Sequence, residues 1–151
     1  MVRKERDVTE KIRYYHQEIS NLVKFLVPPD ASLLEIGCGS GRLLATIPAA
    51  KKAGIDMSSE ILSKARRNHP DIEFMEDDAE CLKTRTKFDC VLLSELVGSL
   101  VDIERALKEL HHVVDERGRV IIVYHNYLWQ PFLRIAEEMG LDPSEVFIAN
   151  I

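Results

Sequence analysis

Three glycines fall within the five residues Gly37-Cys38-Gly39-Ser40-Gly41, directly behind the apolar stretch that ends in Glu35-Ile36. Glycines in such a loop let the chain turn sharply and let backbone amides approach a ligand with no Cβ in the way. A helix starting just after it favours a carboxylate or another anionic group at its N-terminus. The same loop also suits a tight turn that binds nothing. Asp56 follows about twenty residues on, where a carboxylate can accept both hydroxyls of a ribose or, equally, cap a helix. Asp77-Asp78-Ala79-Glu80 forms a third cluster. A carboxylate there can take the exocyclic amine of an adenine while a neighbouring amide donates to the ring. Its plain alternative is an acidic solvated loop.

These clusters matter because of the elements in front of them. Leu33, Leu34 and Ile36 read as a buried first strand, and residues 53–56 as a short second one ending on Asp56. Residues 72–75 read as a third strand, just ahead of Asp77. Each cluster therefore sits at the carboxyl end of a strand, the edge along which open α/β sheets bind ligands. The near-continuous apolar run 88–93 marks a parallel strand covered on both faces. A fifth strand is expected over 120–124, after a turn at Glu116-Arg117-Gly118.

Helices fill the intervals. The first runs over about residues 9–27 with Ile12, Tyr15, Ile19, Leu22, Val23 and Leu26 as its apolar stripe, and Pro28-Pro29 stops it. Another spans 42–47. Ser58 or Ser59 caps a third that turns Ile61, Leu62 and Ala65 inward. Asp102 caps a fourth that buries Ile103, Ala106, Leu107, Leu110 and Val114, and a last helix spans about 128–139, closed by Gly140. The expected fold is a doubly wound, mainly parallel α/β sheet of about five strands in a single domain. Residues 1–29 form an N-terminal lid helix, 30–126 the core, and 127–151 a C-terminal helix and tail.

Composition narrows the function. With 151 residues, 46% hydrophobic and 30% charged, the chain reads as one ordinary soluble globular domain. A net charge of −5 gives no general electrostatic grip on nucleic acid. No apolar run reaches the ~18 residues of a membrane span, and the charged start lacks a secretory signal. Three scattered cysteines, Cys38, Cys81 and Cys90, form neither a disulfide framework nor a zinc site, so a reducing cytoplasm is the simpler compartment. His111 and His112 are adjacent and would point ~100° apart on a helix, so no metal is expected.

The motifs "LLEIGCGSG", "GIDMS", "DDAE" and "FDCVLLSEL", in this order and spacing, resemble those of class I methyltransferases that use S-adenosylmethionine. The resemblance extends from the Tyr14-Tyr15 helix to the last helix. It implies that Gly37, Cys38, Gly39 and Gly41 wrap the methionine end of that cofactor, with Glu35 facing its ammonium through water. It further implies that Asp56 holds the ribose, that Met57 packs beside the adenine, and that Asp78 and Ala79 read the adenine edge. Ser94 and Glu95 then line the floor near the sulfonium, and Tyr15, with Tyr14, belongs to a helix lying over the cofactor. Core packing is the alternative role for both tyrosines. The competing dinucleotide fingerprint GxGxxG fails here because Arg42 stands in place of the third glycine, and Glu35 would repel a pyrophosphate.

Methyl transfer needs a general base only if the acceptor must lose a proton. Glu95 and His125, after the fourth and fifth strands, are the catalytic candidates, although a structural hydrogen bond suits His125 as well. The family core carries two further strands beyond the fifth helix, for which residues 143–148 leave little chain. The fifth strand is thus expected at a sheet edge that a second copy could cover. Two functions follow. One is a methyltransferase acting on a small-molecule acceptor, and the other a truncated cofactor-binding module that works through self-association or a partner chain.

Overall fold

The computed structural model describes residues 2–124, with side chains from Arg13 onward. In chain order the elements are α1 (Val2–Leu26), β1 (Ser32–Ile36), α2 (Arg42–Thr46), β2 (Lys51–Asp56), α3 (Ser59–Asn68) and β3 (Glu73–Glu76). They continue with β4 (Phe88–Ser94), a 3-10 turn (Val97–Ser99), α4 (Ile103–Leu110) and β5 (Val114–Val123). The strands make one sheet in the order β3-β2-β1-β4-β5, with every pair parallel. The chain winds outward from β1 in one direction and from β4 in the other. Loops leaving those two strands therefore diverge, and a crevice opens between them at the carboxyl edge. The expected parallel α/β sheet is the observed one.

Strand periodicity explains the double layer. Leu33 and Leu92 point into a cluster with Ile19, Val23 and Val27 from α1 and its tail, Leu44 from α2, and Leu62 from α3. Leu34, Ile36, Val91 and Leu93 point the other way, onto Leu110 and Val113 at the end of α4. Successive residues of β1 and β4 thus feed opposite faces, as the period of two requires. Ser58 caps α3 by accepting from the Ile61 amide at 3.3 Å, and Asp102 caps α4 by accepting from the Arg105 amide at 2.9 Å.

Several expectations need correction. Helix α1 begins at Val2 rather than near Thr9, and Leu22 is half exposed, so the buried stripe reduces to Ile19 and Val23 with Tyr15 and Leu26 at its margin. Ile61 is exposed on α3 while Leu62 and Ala65 are buried. In α4 only Ala106 and Leu110 are buried, with Ile103 at 44% and Leu107 at 41% exposure, because a helix of eight residues rests on the sheet along one narrow line. The turn at Glu116-Arg117-Gly118 lies inside β5 as a bulge. Phe88 pairs with Val114 but Cys90 already pairs with Arg119, so the intervening β5 residues loop out. The anticipated last helix, its Gly140 cap and the C-terminal tail lie outside the described residues, and so does His125.

Gly54 shows how tightly the sheet holds the glycine loop. A Cβ at this position would lie 2.7 Å from the Cys38 Sγ and 2.9 Å from the Phe74 ring. Gly54→Ala should lower stability by about 1–3 kcal/mol through overpacking. The double variant Gly54→Ala/Cys38→Ala should regain part of that loss, read from the midpoint of urea unfolding. Additive losses would show that the contact with Cys38 is not what excludes a side chain there.

Candidate functional site

Two cavities open at the carboxyl edge of the sheet and meet at Gly37. The first, about 440 Å³, lies under α1 and is bordered by Glu35, Gly37 to Ser40, Ser94 and Glu95 together with Arg13, His16 and Lys24. The second, about 350 Å³, is bordered by Asp56, Met57, Asp77, Asp78, Ala79 and Leu96, among others. Leu96 lies against Gly37 so closely that a Cβ there would come within 2.8 Å of its Cδ1. Gly37 also has φ +76°. No side chain fits at this junction, so the passage between the cavities depends on that glycine.

The glycine loop is folded back on the sheet. Gly37 N–H and Cys38 N–H both donate to the Ile55 carbonyl, at 2.8 and 2.9 Å, and Gly41 N–H donates to the Cys38 carbonyl. Gly39 N–H donates to Asp56 Oδ2 at 2.9 Å, and Ser58 N–H to Asp56 Oδ1 at 2.9 Å. Four loop amides are therefore satisfied within the protein, rather than turned toward a ligand as the loop's composition suggests. Here the glycines shape the wall by taking positive φ at 37, 39 and 41. Asp56 joins the loop to the end of β2 and still borders the second cavity.

Glu35 is the electrostatic anomaly. Its neighbours in register are Gly54 on β2 and Leu92 on β4, neither with a polar side chain. The side chain is 3% exposed and its Oε2 has no hydrogen-bond partner. Burial pushes the carboxyl up from 4.5 to about 8, with repulsion from Asp56 adding to the rise and the Leu44 amide opposing it. A buried carboxyl with one orphaned oxygen on a cavity wall is a site suited to a cation or a strong donor. Cys38, beside it, is pushed up to about 12 by burial and then by the charges of Glu35 and Asp56. It is packing, not a nucleophile.

Beyond β4, Glu95 takes φ +57°, a left-handed conformation that costs a glutamate about 1 kcal/mol or more. Its amide donates to the Val123 carbonyl at 2.8 Å, and its Oε1 accepts from the Tyr15 hydroxyl at 2.6 Å. That bond ties α1 to the end of β4. Tyr15 also packs on the core, the alternative role expected for it, whereas Tyr14 is exposed.

Around the second cavity the acidic cluster divides its labour. Asp77 is buried and accepts from the Asp78 amide at 3.0 Å, the Lys83 amide at 2.8 Å and the Thr84 amide at 3.3 Å. Its work is holding the loop. Asp78 accepts from the Glu80 amide at 2.9 Å while bordering the cavity, Ala79 is buried at its wall, and Met57 stands exposed at its mouth. Sequence reasoning missed Leu96, Leu100 and Val101 on the far wall, and Arg13, His16 and Lys24 on α1. The apolar three follow a strand with no motif of their own. The others sit with Gln17 and Ser20 at helical spacing, a polar stripe beside the apolar one. Among the described residues no cluster could hold a metal ion, and no helix is long and apolar enough to cross a membrane.

Residues 33–118 match the protein family described as "Methyltransferase domain". A demethylmenaquinone methyltransferase of Chlorobaculum tepidum is 34% identical over 98 residues, covering 62% of this chain and 40% of that protein. A trans-aconitate 2-methyltransferase of Azoarcus sp. is 31% identical over 118 residues, covering 74% of this chain and 47% of that protein. The chain thus spans less than half the length of either relative. The YcgJ protein of Bacillus subtilis superposes with a TM-score of 0.68 at 20% identity, over 85% of this chain and 60% of that one, which shows a shared fold.

The elevated Glu35 makes stability depend on pH in a set direction. Between about pH 4.5 and 8 the folded chain keeps a proton that the unfolded chain releases. Unfolding free energy should therefore fall as pH rises through that window, by up to about 1.4 kcal/mol per pH unit from this group, and level off above it. Urea midpoints across the window should show the slope in the wild type and lose it in Glu35→Gln. An equal slope in both would mean that the carboxyl is not held protonated.

Proposed function

The chain belongs to the methyltransferase domain family, and from that membership we propose that it transfers a methyl group from S-adenosylmethionine to a small-molecule acceptor. Glu35 carries the reading. Its buried carboxyl on the wall of the first cavity has one oxygen, Oε2, without a partner, and the ammonium of this cofactor supplies one. The shape agrees, because an elongated ligand can pass Gly37 with its amino-acid end in the first cavity and its nucleoside in the second. There Asp56 has lone pairs left for ribose hydroxyls, Met57 offers an apolar contact, and Asp78 with Ala79 faces the adenine edge. The second cavity has four acidic side chains and no lysine or arginine at its border, which suits a nucleoside without phosphates and disfavours a pyrophosphate.

When bound, this cofactor supplies a methyl carbon already activated by its sulfonium. The protein's own residues align and exclude water. Ser94 and Glu95 border the first cavity at the end of β4, and α1 roofs it. Glu95, fixed by Tyr15, positions the acceptor and takes a proton where the acceptor must lose one. His125 is retained as the second proposed base. The two curated relatives are named for a quinone and for a small acid, which supports a small acceptor.

Calorimetric titration with S-adenosylmethionine should show binding that weakens about 10–100-fold in Glu35→Gln and at least about tenfold in Asp56→Ala, the range for a charged hydrogen bond. Near neutral pH the wild type should release close to one proton on binding, because the ammonium forces Glu35 to ionise. The observed enthalpy should accordingly vary with the buffer's ionisation enthalpy, and this variation should vanish in Glu35→Gln. No binding by the wild type, with Asp56→Ala indistinguishable from it, would sink the proposal.

A further inference from the structure

One stretch of chain borders both cavities. It leaves β4 at Glu95, lies against Gly37 at Leu96, makes the 3-10 turn Val97–Ser99 and reaches α4 at Asp102. Its near end is fixed by the bond from the Glu95 amide to the Val123 carbonyl, at 2.8 Å. Its far end is fixed from the acidic loop after β3. Glu80 Oε1 accepts from the Val101 amide at 2.7 Å and from the Asp102 amide at 3.1 Å. Glu80 is itself held at its own amide, which donates to Asp78 Oδ1 at 2.9 Å. A single side chain thus joins the Asp78 side of the second cavity to the wall that carries Leu96, Leu100 and Val101.

Val101 shows what that join does. The residue is 96% exposed although its side chain is apolar, and it borders the second cavity, as does the exposed Met57. A valine held in open water contributes nothing to the core, but a flat apolar-faced ligand laid against it removes that surface from water. We propose that Glu80 is a positioning residue for the cofactor's nucleoside. By holding the Val101 and Asp102 amides, it keeps Val101 at the mouth of the second cavity, where the side chain covers the base. The inference rests on the methyl-transfer reading and adds to it a residue that acts through another. A carboxylate bonded to two amides is a stronger tie than a neutral acceptor would make. The wall is therefore ordered before the nucleoside arrives, and its ordering does not weaken binding.

The probe is 5′-methylthioadenosine, a neutral nucleoside thioether without the amino-acid end, titrated calorimetrically into the full chain. S-adenosylhomocysteine, the demethylated product of the donor, is titrated beside it. Glu80→Ala should weaken both ligands by the same factor, about fivefold or more, because its effect lies wholly in the second cavity. Glu80→Gln keeps an oxygen that accepts the same two bonds, so it should bind both within about twofold of the wild type. Val101→Ser, at an exposed position that leaves the fold intact, should weaken both about threefold. Adding it to Glu80→Ala should cost little more, since the two act together. Amide exchange followed by NMR should run about tenfold faster at Val101 and Asp102 in Glu80→Ala than in the wild type. Unchanged binding by Glu80→Ala would overturn the inference, even with faster exchange. Full additivity with Val101→Ser would overturn it too, because Glu80 would then meet the ligand directly. Both results leave wild-type binding, and with it the methyl-transfer reading, in place. A wild type that binds neither ligand would overturn that reading and this inference together.

Discussion

Glu35 occupies a position in β1 that strand periodicity assigns to the interior, between Gly54 and Leu92. A carboxyl so placed loses its hydration and gains no partner for one of its oxygens. The surrounding structure accommodates it in two ways. Burial keeps the group protonated near neutrality, and the glycine loop beyond β1 leaves the adjacent space open rather than filling it with side chains. A leucine would pack better here, as Leu33 and Leu34 do. Retaining an acid in the middle of a sheet costs stability, and the cavity beside it is where that cost can be offset by a bound cation.

The remaining architecture divides one crevice into two environments. Gly37 and Leu96 meet at the boundary. On one side, carboxylates surround the nucleoside-sized space. On the other, the helix roof brings cations. Asp56 belongs to both the frame and the wall, because the two amides that it holds fix the loop's path while its face toward the second cavity stays available. A single residue thus sets the loop shape and presents the hydrogen-bond acceptor, so the site is largely built before anything enters it.

The strands' places along the chain were legible from the sequence because Glu35, Asp56 and Asp78 lie at or just past the ends of strand-like segments, whereas the spatial order of those strands is a property of the structure. Helix caps at Ser58 and Asp102 were legible for a local reason, since a side chain needs to reach only three residues along the chain. What escaped depended on distance. Ile61, Ile103 and Leu107 fit an inward stripe by periodicity, yet short helices bury one line of side chains and leave the flanks to water. Nothing local announces that the loop amides are used by Ile55 and Asp56, or that Tyr15 meets Glu95 eighty residues away. The bulge in β5 was visible only as a turn, because a parallel register is set by the neighbouring strand and not by the strand's own sequence.

Helix α1 touches the body of the protein over the first cavity through few polar links. Tyr15 bonds Glu95, and the Ser20 hydroxyl meets that of Thr46 at 2.8 Å. Below it, Ile19 and Val23 are sunk in the core. The helix is therefore held on its apolar side by packing and on its polar side by these hydroxyl contacts. The roof of the first cavity is thus part of the protein's own core, and the space beside Glu35 is closed from above by the same side chains that stabilise the sheet.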